Sequence, residues 1–343
     1  MRKMIYGLAL IVFTLSISYG KANAAEALGF DVSGFVDASY FVDDNADSNT
    51  FGLDQVEIDI EKEIKDWASV RLDLQHCPSG SQASCAGSGG DDSIEQGYLT
   101  LTAPVGSGVT FTFGKFNAPI GFELLDAPDM YQFSHALVFD NGLPTNLTGL
   151  MASGALGDMI DISAYVVNGW DNNPDTNKNK SFGGRIGITP MKDVNVGFSA
   201  ITGDDSAVAG ENMTVFDVDG TITMIPNLTV GLEFNFGNED LASTTGTDAD
   251  WFGFLVMGHY DYSDWGGITV RYDYFDDEDG ARLGTANNTQ QAITIAPTFV
   301  IGEGFGALIE YRHDSSDKDV FTKSDGSVTD NNDTFAFEMT YSF

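Results

Sequence analysis

Carboxylates carry most of the chemistry this sequence offers. Asp and Glu account for 51 of the 343 residues, against 16 Lys and Arg and 4 His. Many of the acids stand at every second position of otherwise apolar segments, as in Val56-Glu57-Ile58-Asp59-Ile60 and Leu232-Glu233-Phe234. Acids so placed share one face of a strand, where they attract cations. The histidines give little to a catalytic reading. His76 lies beside Cys77, His135 in a long irregular stretch, His259 near a strand end and His313 at a loop start, none in a local Ser or Asp arrangement resembling a barrel hydrolase. Three acidic loop runs, Asp43-Asp44-Asn45-Ala46-Asp47, Asp171-Asn172-Asn173-Pro174-Asp175 and Asp276-Asp277-Glu278-Asp279-Gly280, offer oxygen ligands for Ca²⁺ or Mg²⁺ without the spacing of an EF-hand. The solvated-loop reading outweighs loop-bound Ca²⁺, and no other cofactor is expected. Cys77 and Cys85 read as one local disulfide of an exported protein, since two thiols and His76 do not complete a zinc site.

The elements that must position these residues are strands. Alternation of period two recurs from Phe30 to Phe343, clearest in Val109-Thr110-Phe111-Thr112-Phe113 and in the terminal Phe335 to Phe343. Strands are expected near 30–41, 51–61, 67–75, 94–104, 108–116, 148–156, 159–168, 181–190, 193–202, 212–225, 228–236, 250–262, 265–275, 289–301, 304–312 and 333–343. Sixteen strands result, with fourteen or eighteen as alternatives. Short connections such as Pro226-Asn227 and Gly302-Glu303-Gly304 alternate with long polar ones at 75–93, 117–147, 169–180, 237–249, 276–288 and 313–332. An even strand count with short turns on one side and long loops on the other describes a transmembrane antiparallel up-and-down β-barrel. Aromatics near strand ends, among them Trp67, Tyr260, Tyr262, Trp265, Tyr272, Tyr274, Tyr311, Tyr341 and Phe343, fit membrane interfaces.

The start of the chain agrees with export. Arg2 and Lys3 precede an apolar run from Met4 to about Ser18, and Ala22-Asn23-Ala24 follows, which predicts a signal peptide over 1–24 and a barrel over 25–343. The run is shorter than the roughly 20 residues a spanning helix needs. Removing Arg2, Lys3 and Lys21 leaves 13 basic residues against 51 acidic ones, a mature net charge of −38. Such a chain is no nucleic-acid binder.

If the apolar residues face lipid, their neighbours face a lumen. The expected inward set holds Glu57, Asp59, Asp73, Asp217, Asp219, Glu233, Asp273 and Glu310, with Asp31, Asp37, Glu61, Asp161 and Glu338, against only Arg71, Arg185, Arg271 and Arg312. This balance implies a water-filled interior that prefers cations. The stretch 117–147 is too apolar for a solvated loop, carrying Phe122, Leu124, Leu125, Met130, Tyr131, Phe133, Leu137, Val138 and Phe139. Folded onto the inner wall it would bury those groups and leave Glu123, Asp126, Asp129 and Asp140 to line a constriction. A plugged structural or adhesive barrel is the alternative, and a barrel hydrolase a more distant one.

Two resemblances follow from particular residues. The series Phe335, Phe337, Met339, Tyr341, Phe343 resembles the closing strand of outer-membrane proteins, which implies that Tyr341 and Phe343 belong to an assembly signal read by the barrel assembly machinery. The stretch 117–147, which follows the fifth strand and so forms the third external loop, resembles that of general porins in place and length. More narrowly, Gly114-Lys115-Phe116-Asn117-Ala118-Pro119-Ile120-Gly121-Phe122-Glu123, Phe133-Ser134-His135 and Val32-Ser33-Gly34-Phe35-Val36-Asp37-Ala38-Ser39-Tyr40 resemble the OmpL-like group of β-barrel porins. That resemblance implies an outer-membrane pore and brings no established substrate; passage of small solutes and contact with lipid and lipopolysaccharide are expected of such a barrel, and a homotrimer is suggested by the general-porin layout alone.

Overall fold

A computed structural model describes residues 29–77, 94–206, 210–242 and 246–343. The signal peptide expected over 1–24, and Cys85, lie outside these residues. Alternating sequences extend as strands because each can give one face to an apolar medium and the other to polar partners. Fifteen of them follow in order: β1 (Asp31–Asp43), β2 (Ser48–Lys65), β3 (Ala68–His76), β4 (Ile94–Ala103), β5 (Val109–Asn117), β6 (Asn146–Leu156), β7 (Ile160–Val167), β8 (Ser181–Met191), β9 (Val194–Gly203), β10 (Met213–Ile225), β11 (Leu228–Glu239), β12 (Ala249–Ser263), β13 (Gly266–Asp277), β14 (Asn288–Gly302) and β15 (Phe305–Ser316). A small ribbon in the last long loop, β16 (Phe321–Thr322) with β17 (Val328–Thr329), precedes β18 (Asn331–Ser342).

β18 pairs with β15 on one side and β1 on the other, closing a sixteen-stranded antiparallel barrel in which every other strand pairs with its sequence neighbours. The closing register runs from Phe35 opposite Ser342 to Asp43 opposite Thr334. Phe343 N donates to Gly34 O at 3.0 Å, so the terminal aromatic is stitched into the first strand. The short turns carry the backbone geometry their residues permit. Asn227, between β10 and β11, sits at φ 66°, a left-handed conformation that Asn tolerates. One connection differs from expectation: β1 and β2 run on together, leaving only residues 44–47 between them. Nine of the third loop's residues are helical, three in a 3₁₀ turn (Ala127–Asp129), capped by the extended Met130, and six in α1 (Leu137–Gly142).

Burial is inverted relative to a protein folded in water. Leu99, Leu101, Phe113, Phe236, Val270 and Ile293 are among many exposed apolar side chains, while Asp37, Glu57, Asp73, Glu233 and Arg271 are at most 1 % exposed. An apolar exterior of this extent requires hydrocarbon around it. Aromatics gather at both rims. Trp67, Tyr262, Trp265, Phe305, Tyr341 and Phe343 mark the short-turn end, where Phe305 and Tyr341 lie 4.3 Å apart, and Phe51, Phe182, Phe216 and Phe236 mark the other. Among the described residues no helix is long and apolar enough to cross a membrane. The strands do the crossing.

Candidate functional site in the barrel lumen

The third loop, 118–145, folds inside the barrel, and the apolar core lies there between loop and wall. Ile120, Leu125, Leu137, Phe139 and Leu143 pack with Tyr165, Ile201, Val215, Trp251 and Phe275 of the strands. Ala136 and Val138 meet Leu255 and Met257, and Phe133 meets Leu308 and Ala336. Hydrophobic burial thus accounts for the loop's inward path. Leu124 is the exception, 54 % exposed. The wall makes room where it must: the Phe122 ring occupies the space a side chain at Gly231 would fill.

Polar groups fix the loop in place. A loop inside a barrel cannot satisfy its N–H groups with sheet partners, so inward carboxylates accept from them. Phe122 N donates to Glu233 Oε2 at 2.8 Å, Phe133 N to Glu310 Oε2 at 2.8 Å and Leu137 N to Asp273 Oδ1 at 2.9 Å. Ala127 N donates to Gln55 Oε1 at 3.1 Å. Arginines hold the loop carbonyls. Arg271, fully buried, reaches Ser134 O at 2.6 Å and His135 O at 3.1 Å, and pairs with Glu123 at 2.7 Å and Asp273 at 3.0 Å. Arg312 donates to His135 O at 2.5 Å and pairs with Asp314.

The four loop acids therefore have different surroundings. Asp129 and Asp140 are exposed and Asp126 is half-buried. Glu123 is buried, accepting from Gln132 Nε2 and Ala136 N at 2.8 and 2.7 Å besides Arg271. It fastens the loop and does not line a passage, because the buried guanidinium and two N–H donors draw it toward the wall. On the strands, Glu57, Asp73, Asp217, Asp219, Glu233, Arg271, Asp273, Glu310 and Arg312 are buried inside, with Asp59, Arg71 and Arg185 half-buried. Arg185 pairs with Asp219, and Arg71 with Asp73 at 2.9 Å.

Charge is distributed unevenly around the wall. Asp37, Asp54, Glu57, Asp59, Asp73, Glu95 and Glu338 share the β18 to β4 side with one described arginine, Arg71. Asp126 comes down onto this side, and burial, with Glu95 and Asp129 close by, pushes its carboxyl up to about 8. Glu57 with Glu95 and Asp126, and Glu57 with Asp59 and Asp73, bring carboxylate oxygens within 4.8 Å of one another. Glu95 escaped the reading of charges along strands because Glu95 and Gln96 are both buried at a register shift opposite Asp73 and Leu74, which breaks the period of two. The inward amides Gln55, Gln75 and Asn235 were legible by that period.

His259 has partners that sequence spacing did not suggest. It lies between Thr269 Oγ1 at 2.8 Å and Asp261 Oδ1 at 3.1 Å. Thr269 is fully buried and its hydroxyl donates to Tyr131 O at 2.7 Å, so the trio braces the loop and presents no nucleophile to a substrate. His135 stacks on Phe139 at 4.0 Å, and His313 binds Asp333 at 2.8 Å. Cys77 is disulfide-bonded, Cys85 being the only other cysteine of the sequence.

A sequence family described as "Putative beta-barrel porin-2, OmpL-like" matches residues 29–343. No curated protein matches by sequence. Among solved structures, the trimer form of in-vitro folded OmpT from Vibrio cholerae superposes with a TM-score of 0.66 at 14 % identity, covering 92 % of this chain and 99 % of the other. The anion-selective porin from Comamonas acidovorans gives 0.64 at 8 % identity, over 92 % and 99 % of the two chains. OmpF of Salmonella typhi, in complex with daunomycin, gives 0.64 at 12 % identity, over 92 % and 97 %. At these identities the likeness is one of fold.

Proposed function

The chain belongs to the OmpL-like β-barrel porin-2 family, outer-membrane barrels of porin type, and from that premise we propose that it passes small hydrophilic solutes and ions by diffusion, with a preference for cations. The observation that carries the preference is the charge of the wall. From β18 round to β4 the inward face holds seven acids against one described arginine, while the arginines of β8, β13 and β15 are each committed to a carboxylate. A solute crossing beside the loop meets an excess of acidic over basic side chains, which lowers the energy of a cation and raises that of an anion. An anion-selective porin shares the fold, so the sign of selectivity rests with these side chains. Exposed Asp129 and Asp140 add to the same field from the loop side.

Reversal potentials across planar bilayers in a KCl gradient test the preference. A cation-selective sign at neutral pH is expected, and an anion-selective one would overturn it. A second reading, a plugged barrel, is favoured by one observation: the loop covers Glu57, Glu233 and Arg271 until they are at most 1 % exposed. Liposome swelling with graded sugars separates the two, since a plugged barrel admits none. The same reading has the barrel among lipopolysaccharide, inserted by the barrel assembly machinery through Tyr341 of β18 and Phe343 just after it, and assembled as a homotrimer; cross-linking in detergent checks the last.

A further inference from the structure

Two trios of carboxylates on the β2–β4 side share Glu57, and they differ in what neutralises them. Glu57, Asp59 and Asp73 have Arg71, whose guanidinium stands 2.9 Å from Asp73 and 3.6 Å from Asp59. Glu57, Glu95 and Asp126 pair with no Lys or Arg among the described residues. Amides reach only part of this second trio. Gln75 Nε2 donates to Glu95 Oε2 at 2.5 Å and to Glu57 Oε2 at 3.4 Å, and Asn117 Nδ2 donates to Glu95 Oε1 at 2.9 Å. Glu57 is 1 % exposed, yet its Oε1 accepts no hydrogen bond, and the buried Oδ1 of Asp126 accepts none either. Buried carboxylate oxygens without a donor are costly, and three carboxylates side by side repel one another when ionised. A cation among them supplies what the protein side chains do not.

We propose that Glu57, Glu95 and Asp126 bind one Ca²⁺ ion, which fastens the third loop to the β2–β4 wall. The ligands come from three elements, β2, β4 and the loop, so the ion bridges segments that are distant in sequence. The donor set suits Ca²⁺ better than Mg²⁺. Ca²⁺ accepts several protein carboxylates in irregular geometry, whereas Mg²⁺ demands a near-ideal octahedron and gives up its waters reluctantly; the three oxygens lie within 4.8 Å of one another, close enough to share one ion. The acidic loop runs do not offer the same chemistry. Asp43 Oδ1 accepts from Ala46 N, and the Asp277 carboxylate accepts from the N–H groups of Gly280, Ala281, Arg282 and Leu283. The site does not depend on the barrel conducting.

Calorimetric titration of the refolded, EDTA-stripped full-length barrel with CaCl₂ at neutral pH tests it. One saturable site per chain is expected, weakened at least about tenfold in Glu57→Gln and in Asp126→Asn and unchanged in Asp44→Asn. Heat-modifiable gel migration reports whether each variant has folded, and if Glu57→Gln has not, Asp126→Asn, which alters the loop and no strand, decides. Absence of saturable binding, equal affinity in wild type and the folded variants, or MgCl₂ binding as tightly as CaCl₂ would each overturn the proposal. Because calorimetry reads the ion and not the current, a failed conduction assay leaves this result intact.

Discussion

Arg271 joins more of the lumen than any other described side chain. It binds two loop carbonyls, the Ser134 hydroxyl at 3.3 Å, and two carboxylates, one on the loop and one two residues along its own strand. Its planar fork suits this divergent set of acceptors, which an ammonium cannot reach together. Replacing it by Met would leave Glu123 and Asp273 buried without counter-charge, and breaking a buried pair in this way costs about 3–5 kcal/mol. Arg271→Met is therefore expected to lower the midpoint of urea-induced unfolding and to give a noisier, larger single-channel current as the loop loosens. Arg271→Lys should fall between it and the wild type. Equal stability and equal noise in all three would show that the arginine does not hold the loop.

At the scale of elements, the third loop and the wall behind it are complementary in two chemistries at once. Loop rings enter apolar pockets formed by β7, β9, β10, β12 and β13, and loop N–H groups find carboxylates of β11, β13 and β15. This is why so many acids of the strands stand in full burial and still have partners. Deleting residues 122–139 should leave a folded barrel, since every strand pairing lies outside the deletion, and should raise single-channel conductance. Unchanged conductance in a folded barrel would count against a constricting role. A weaker cation preference is also expected, because Glu233, Asp273 and Glu310 would become hydrated and screened once uncovered.

For the molecule as a whole, the exterior carries the apolar side chains and the interior the charged ones. Val256, near the middle of β12, is 41 % exposed on the outer face, beside the fully buried Leu255 that packs under the loop. Val256→Arg would place a charge near the bilayer midplane, at a cost of about 2–4 kcal/mol. Reversible folding into vesicles should register that loss, while Val256→Leu should fold like the wild type. An arginine tolerated at that position would show that this face does not meet hydrocarbon.

Strand number, order and closure were largely legible in the sequence, because a period of two states which residues share a face and turn residues mark where strands end. Even the weak segment at 148–156 forms a strand, β6, beginning two residues earlier. The acids of the lumen were legible for the same reason, as was the inward path of the third loop, whose apolar content had nowhere else to be buried. Pairing across the lumen was not legible. Glu123 meeting Arg271 spans 148 residues, and Glu310 meeting Phe133 N spans 177, so no local pattern encodes either contact. Glu95 was hidden by a register shift that breaks the alternation. Sequence thus determined the barrel and the sign of its interior, through short-range periodicity; only closure of the barrel around its loop decided which carboxylates are neutralised by arginine and which are left gathered at Glu57, Glu95 and Asp126.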